Sequence, residues 1–156
     1  MHSLNDQKQA LRAQVRARAP KPGSPAFVDA SVRAQERLSA VALQSGARVI
    51  ALYRALPSEC GTACVFVAGA LGVEEPTGGP VSLHDIDLLV VPAIAVDTAG
   101  RRLGRGKGHY DATLAAYGGS SVALVFDSQL VLEVPVGEHD RRVGAVCTEA
   151  RWVSVP

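Results

Sequence analysis

Aromatic residues are scarce in this sequence, and neither strong charge of one sign nor a long apolar run is present. Aromatic residues make up only 4% of the chain, too few for a groove that stacks successive bases of a nucleic acid. The formal net charge is +1, far from the excess expected of a general nucleic-acid binder. No apolar run reaches the length of a transmembrane helix. These absences favour a protein with neither a nucleic-acid nor a membrane partner.

Cysteines are also few, and their spacing excludes two kinds of site. Cys60, Cys64 and Cys147 form neither a CxxC metal-binding pair nor an even-numbered disulfide framework. We interpret them as buried thiols in a reducing compartment. The first residues show no basic segment followed by an apolar one, so we expect no signal peptide and a cytoplasmic protein.

The remaining composition favours one folded domain. Of the 156 residues, 47% are hydrophobic, enough for a core. Short apolar runs predict buried strands over residues 49–53, 87–92, 122–126 and 143–147. Helical spacing, caps and breakers predict helices over residues 4–19, 25–45, 62–71 and 109–117. Apolar strands alternating with helices predict an α/β fold: an open, mostly parallel sheet with helices on both faces, in a single Rossmann-like domain over residues 1–156.

A glycine-rich basic segment lies between the second predicted strand and the last predicted helix. Residues 101–111 read RRLGRGKGHYD. The three alternating glycines let backbone N–H groups approach an anion, and the following helix start adds a positive dipole end. Arg105 and Lys107 add full positive charges, and Asp111 supplies an oxygen suited to Mg²⁺. The spacing matches neither a Walker A loop nor the dinucleotide pattern GxGxxG. Taken alone, the segment could also be a flexible surface loop.

Together with its neighbours, this segment resembles the 5-formyltetrahydrofolate cyclo-ligase family, also called 5,10-methenyltetrahydrofolate synthetases. The family shows a strand ending in VP and then L-G-R-G-x-G-Y-Y-D, and this chain has VP at 91–92 and LGRGKGHYD at 103–111. Further segments resemble the family in the same order. They are K-x-x-L-R at 8–12, E-x-x-T at 59–62, and a C-terminal string over 126–149 that contains FDSQL, VP, HD and TE.

The resemblance implies an enzyme that uses ATP and Mg²⁺ to convert 5-formyltetrahydrofolate to 5,10-methenyltetrahydrofolate, releasing ADP and phosphate. It implies nucleotide binding by Lys8, Arg12, Arg102, Leu103, Gly104, Arg105, Gly106, Lys107, Gly108, His109 and Tyr110. It implies folate binding by Arg54, Glu59, Arg105, Gly106, Lys107, Gly108 and His109. Asp111 and Asp140 would hold Mg²⁺. Arg105 and Lys107 would be catalytic, neutralising charge on the transferred phosphoryl group.

Simpler interpretations of these residues remain open at this point. Lys8 and Arg12, four apart on helix 4–19, could meet one phosphate, so that this helix packs at the nucleotide site, or could form a solvated basic face. Glu59 could be a solvated loop acid or a helix cap. Asp140 could be a loop or capping residue.

Two departures from the family pattern motivate an alternative function. The segment after Thr62 is shorter than in the family pattern, which has a strand and part of the folate pocket there. In addition, His109 stands where the family pattern has a tyrosine. The chain could therefore be a nucleotide-binding relative that does not catalyse or takes another substrate. The acids at 59, 111 and 140 argue against a mere binder. RNA binding through residues 101–107 is a weaker third hypothesis. We expect a small-molecule folate substrate and a monomer or weak homodimer.

Overall fold

The computed structural model describes residues 3–62 and 81–156. Outside the described residues lie Cys64, the segment after Thr62 and the helix predicted over 62–71, of which only Thr62 is described. The helices are α1 (Leu4–Arg18), α2 (Pro25–Ser45) and α3 (His109–Ala116), with short 3₁₀ turns at Leu83–Asp85 and Asp127–Gln129. The strands are β1 (Ile50–Ala51), β2 (Leu88–Val91), β3 (Ala95–Asp97), β4 (Arg102–Leu103), β5 (Ser120–Leu124), β6 (Leu130–Val131), β7 (Ala145–Cys147) and β8 (Trp152–Ser154).

The main sheet is the α/β sheet that the sequence predicts. Its five strands follow the order β1-β2-β5-β7-β8, and every pair is parallel except β7 with β8. Leu88 and Val90 of β2 face a core cluster that contains residues of α2, whereas Leu89 and Val91 face a cluster that contains residues of α3. Because alternate side chains of a strand point to opposite faces, the sheet is covered on both sides. The predicted fold class is confirmed.

Local signals set the helix ends. Ser3 caps α1: its side chain accepts the N–H of Asp6, and the Asp6 carboxylate accepts the N–H of Ser3. Ser24 accepts the N–H of Phe27 ahead of Pro25 at the first turn of α2, and Gly46 ends that helix in the left-handed conformation. No helix within residues 3–62 and 81–156 is long and apolar enough to cross a membrane.

A second, three-stranded sheet, in the order β4-β3-β6, was not predicted. Arg102 and Leu103, at the start of the glycine-rich segment, form β4, which the sequence did not predict. The β3–β4 hairpin therefore separates β2 from α3. Its strands are only two or three residues long, too short to show a period-2 pattern. Val15 of α1 packs on this sheet with Ile94, Leu103 and Val134, which brings the N-terminal helix to the glycine-rich segment.

The first strand ends earlier than predicted, at Ala51, and Tyr53 takes part in hydrogen bonds of the loop that follows. The Tyr53 hydroxyl donates to the carbonyl oxygen of Cys60 at 2.8 Å, and the Thr62 hydroxyl donates to the carbonyl oxygen of Tyr53 at 3.0 Å. Burial raises the pKa of the Tyr53 phenol. These bonds close residues 53–62 into a fixed loop over the carboxyl end of β1.

The two described cysteines are buried and free, as predicted. Cys60 and Cys147 lie in the core cluster under α2. Burial raises the pKa of each thiol to about 12. Both are therefore neutral thiols at physiological pH and weak nucleophiles.

The turn between β3 and β4 is built around a buried carboxylate. Asp97 is 0% exposed and accepts N–H groups from Ala99, Arg101 and Val134, besides the Arg101 guanidinium at 2.6 Å. Gly100 completes the turn at φ 75°, and a Cβ there would lie 2.3 Å from the carbonyl oxygen of Val143. This turn fixes the start of the glycine-rich segment.

We therefore expect Gly100→Ala to destabilise the protein more than Gly23→Ala. Gly23 has the same φ of 75° but no atom within 4 Å of an added Cβ, so it reports the backbone strain alone. The free energy of unfolding should fall by about 1–3 kcal/mol more for Gly100→Ala, the range for overpacking, as measured by urea denaturation. Equal losses for the two variants would show that the close approach to Val143 is easily relieved.

Candidate functional site

One cleft of about 870 Å³ brings together all the residues that the sequence analysis assigned to nucleotide, folate or metal. Its walls come from α1, from the loop after β1, from residues 92–94 after β2, from the glycine-rich segment with the first turn of α3, and from residues 139–141. Ligands of open α/β sheets bind beyond the carboxyl ends of the strands, and β1 and β2 end here.

Asp140 is held by two donors on one oxygen. The ammonium of Lys8, on α1, pairs with Oδ2 of Asp140, and the N–H of Gly137 donates to the same oxygen at 2.6 Å. Burial by itself would raise the pKa of Asp140, but the Gly137 N–H and the Lys8 ammonium outweigh it and lower that pKa. Asp140 is therefore an ionised carboxylate in a fixed orientation.

Asp111 is held in the same manner. The guanidinium of Arg102 donates to Oδ1 of Asp111 at 2.7 Å, and the N–H of Arg141 donates to that oxygen at 3.1 Å. The Arg102 side chain is only 2% exposed and lies 5.9 Å from the centre of the Tyr110 ring. Within the described residues, its buried Nε has no hydrogen-bond partner. A buried donor without a partner is costly, so an anionic ligand oxygen at this point would be favoured.

The two aspartates fit a divalent cation in a definite way. Oδ1 of Asp140 and Oδ2 of Asp111 accept no hydrogen bond from residues 3–62 or 81–156. Each carboxylate is thus oriented through one oxygen and has the other available. Among these residues, no group of three or more His, Cys, Asp or Glu side chains could hold a metal. Mg²⁺ bound by one or two carboxylates completes its shell with water and phosphate oxygens, which this pair allows.

Arg12 binds the backbone of the glycine-rich segment. It is 8% exposed, and its Nε donates to the carbonyl oxygen of Gly104 at 3.0 Å. Gly106 has φ 95°, and a Cβ there would lie 3.3 Å from Nη2 of Arg12. Lys8 and Arg12 therefore meet different partners in this structure, and the interpretation of α1 as a solvated basic face is wrong at Arg12.

Glu59 faces Arg105 across the cleft. Nε of Arg105 donates to Oε1 of Glu59 at 3.1 Å, and its Nη2 donates to the Ser58 hydroxyl at 3.1 Å. The other oxygen, Oε2, accepts the N–H of Leu56 at 2.9 Å. The Glu59 side chain is 12% exposed, so its interpretation as a solvated loop acid is wrong. Its hydrogen bonds close a turn over residues 56–59 rather than cap a helix.

Lys107 and His109 are exposed and line the same cleft. Within the described residues, the Lys107 side chain has no hydrogen-bond or ion-pair partner. Its charge is therefore available to a ligand, in contrast to the paired cations Lys8, Arg102 and Arg105.

Some cleft residues were not predicted from the sequence. They are Asn5, Leu56, Pro92, Ala93, Ile94, Ala112, Ala115, His139 and Arg141. Asn5 lies three residues before Lys8 on the same helix, and His139 and Arg141 flank Asp140, so spacing alone could have found these three. Leu56 carries no such signal.

Comparisons with known proteins point to one family. The model of the 5-formyltetrahydrofolate cyclo-ligase family matches residues 66–149, which include the glycine-rich segment and both aspartates. A 5-formyltetrahydrofolate cyclo-ligase from Mycolicibacterium smegmatis is 36% identical over 140 residues, which cover 85% of this chain and 70% of that protein.

Two solved structures share the fold. The NMR structure of the 5,10-methenyltetrahydrofolate synthetase from Aquifex aeolicus has a TM-score of 0.75 at 24% identity, covering 95% of this chain and 92% of that one. The 5,10-methenyltetrahydrofolate synthetase from Mycoplasma pneumoniae has a TM-score of 0.74 at 16% identity, covering 91% of this chain and 98% of that one.

The pairing of Lys8 with Asp140 has a measurable consequence for titration. We expect Lys8→Met to raise the pKa of Asp140, because a cation that favours the carboxylate is removed while burial remains. NMR titration of the Asp140 carboxyl carbon measures this. Lys21→Met, an exposed lysine outside the cleft, is the matched control. An unchanged Asp140 titration in Lys8→Met would mean that Gly137 alone sets this pKa.

The same shift links Asp140 to stability. Its pKa is lowered in the folded protein, so its contribution is present above the unfolded pKa and is lost as pH falls through the folded value. The free energy of unfolding of Lys8→Met should therefore be lower than that of the wild type at neutral pH. In acid, where Asp140 is protonated in both proteins, the difference between the two free energies should become smaller.

Proposed function

The chain belongs to the 5-formyltetrahydrofolate cyclo-ligase family, and we propose that its cleft converts 5-formyltetrahydrofolate and ATP to 5,10-methenyltetrahydrofolate, ADP and phosphate. One observation carries this proposal: the residues that the family resemblance assigns to nucleotide, folate and metal all line a single cleft. The alternative of a non-catalytic nucleotide-binding relative is not favoured, because the similar proteins are cyclo-ligases and methenyltetrahydrofolate synthetases.

The nucleotide phosphates bind along the glycine-rich segment. Gly106 and Gly108 have positive φ, and the segment ends at the first turn of α3, where unpaired N–H groups favour anions. Lys107 supplies an unpaired charge, and the orphaned Nε of Arg102 supplies a buried donor. Because Arg12 joins α1 to this segment and Lys8 joins α1 to Asp140, we propose that residues 1–156 act as one domain with α1 as part of the nucleotide site.

Asp111 and Asp140 hold Mg²⁺ through their available oxygens. When bound, Mg²⁺ neutralises negative charge on the phosphate oxygens. The protein's contribution is orientation: Arg102 and Lys8 fix the two carboxylates through their other oxygens. We expect Lys8 to be a positioning residue as well as a source of positive charge.

The reaction needs one nucleophile placed in line with the γ-phosphate. The formyl oxygen of the folate attacks the γ-phosphorus and ADP leaves. N10 of the folate then attacks the activated formyl carbon and closes the ring, and the phosphate departs with the former formyl oxygen. Arg105 and Lys107 neutralise charge on the transferring phosphoryl group, the main requirement of such a transfer.

The folate ring lies against the loop after β1. The Glu59 side chain accepts hydrogen bonds from the N–H groups of the pterin, and Leu56, 47% exposed, offers an apolar surface to a ring in the same cleft. Arg54 lines this wall too. We further propose a cytoplasmic location, since the buried thiols Cys60 and Cys147 are unpaired.

The direct test is product formation. We expect the purified protein to form 5,10-methenyltetrahydrofolate, followed by its absorbance, when given 5-formyltetrahydrofolate, ATP and Mg²⁺ together. Omission of ATP or of Mg²⁺ should abolish the signal. A protein that binds ATP but forms no product, while a known cyclo-ligase does so in the same buffer, would favour the non-catalytic alternative.

Arg105→Ala tests the proposed chemistry. We expect kcat/KM to fall at least ~100-fold, the scale for losing one key electrostatic donor, while the melting temperature changes little because this side chain is 41% exposed. Arg142→Ala, an exposed arginine outside the cleft, should retain full activity. Near-normal kcat/KM for Arg105→Ala would reject its catalytic role.

A further inference from the structure

Within residues 3–62 and 81–156, the cleft acid Glu59 differs from Asp111 and Asp140, although a cation pairs with each of them. Asp111 and Asp140 each keep an oxygen free of hydrogen bonds from the described residues. Glu59 has both oxygens in use, with Oε1 on Arg105 and Oε2 on the N–H of Leu56. A ligand that binds both oxygens of Glu59 therefore competes with these two donors for the carboxylate.

Arg105 is the donor that can leave. Its side chain is 41% exposed, whereas Glu59 is 12% exposed and is fixed by a backbone N–H within its own turn. Arg105 is also tied to the Ser58 hydroxyl. Both bonds hold its guanidinium against the loop after β1 rather than over the glycine-rich segment from which it extends.

From these contacts we propose that Glu59 is a gating residue, which holds Arg105 against the 56–59 turn until the folate ring takes the Glu59 carboxylate. The inference rests on the proposed function, and it deepens that function by adding an order of events. Arg105 becomes available to the γ-phosphate only once the phosphoryl acceptor, the formyl oxygen of the folate, is in place.

The gate would prevent transfer of the γ-phosphoryl group to water before folate binds. A cleft that activates ATP without an acceptor would transfer the γ-phosphoryl group to water, giving ADP and phosphate with no ring closure. Two neighbouring N–H donors of a pterin match the two oxygens of a carboxylate, so folate and Arg105 compete for the same group. Partly exposed ion pairs are weak, so the exchange needs little binding energy, and the coupling between folate and nucleotide should be modest.

The experiment measures nucleotide binding without catalysis. The dissociation constant of a non-hydrolysable ATP analogue with Mg²⁺ is measured by calorimetry, with and without 5-formyltetrahydrofolate, for the wild type and for Glu59→Gln. Glutamine retains an oxygen for the N–H of Leu56 and loses the charge that holds Arg105. We expect folate to tighten analogue binding to the wild type by at least about 3-fold. We expect Glu59→Gln without folate to bind as tightly as the folate-bound wild type.

Phosphate release from ATP in the absence of folate is the second readout. It should rise by at least about 3-fold in Glu59→Gln. Ser58→Ala, which removes the other tie on Arg105, should change both readouts in the same direction by a smaller factor. Asp29→Asn, which breaks the exposed pair with Arg33 far along α2, is the matched control and should change neither.

The outcomes separate this inference from the function on which it rests. A Glu59 that only binds folate would leave folate-free nucleotide affinity and phosphate release unchanged in Glu59→Gln, and that result would overturn the gate. If folate does not change the affinity of the wild type for the ATP analogue, the gate is overturned too, even if the methenyl product forms. If Glu59→Gln does not fold, unchanged readouts in Ser58→Ala overturn the proposal by themselves. Absence of methenyl product from the wild type would instead reject the proposed function.

Discussion

The ion pair between Arg102 and Asp111 is the contact on which the site depends. Arg102 begins β4 and Asp111 lies in the first turn of α3, so their 2.7 Å bond ties together the two ends of the glycine-rich segment. The guanidinium is almost fully buried, and a Cβ on Gly104 would approach its Nη1 to 2.9 Å. A side chain at position 104 would therefore require this guanidinium to shift. A buried charge keeps its position only when paired, and this pairing gives the segment one conformation before a ligand arrives.

Charge balance in the cleft follows from the same principle. A site for a triphosphate and a metal needs cations and carboxylates close together, and each would be destabilised if left alone in a partly buried cleft. The chain pairs Lys8 with Asp140, Arg102 with Asp111 and Arg105 with Glu59. The two aspartate pairs orient a carboxylate and still leave an oxygen for a metal. The glutamate pair uses both oxygens of its carboxylate, so a ligand at Glu59 competes with Arg105 for it.

The sequence predicted the four parallel strands of the main sheet, the helices α1 to α3 and most of the residues that line the cleft, and the reason is local. It missed the antiparallel strand β8. Apolar strands such as Leu88–Val91, the capping residues Ser3 and Ser24, and the glycine-rich segment carry their signals within a few residues. The second sheet was missed because β4 and β6 are two residues long. Their existence depends on long-range pairing with β3 and on the buried carboxylate of Asp97. Pairings such as Glu59 with Arg105, 46 residues apart, are likewise properties of the fold and leave no mark in a spacing pattern.

The small sheet explains why the site is assembled from distant segments. The β3–β4 hairpin carries the glycine-rich segment away from the main sheet, and Val15 of α1 packs beneath it. Arg12 can then reach Gly104 and Lys8 can reach Asp140, although the latter pair is separated by 132 residues. The loop after β1 meets the same segment from the opposite side through Glu59. Arg105 therefore extends from the glycine-rich segment, which we propose binds phosphate, to the loop after β1, which we propose binds folate. Because these two walls belong to different elements, a ligand on one wall can change the contacts of Arg105 with the other.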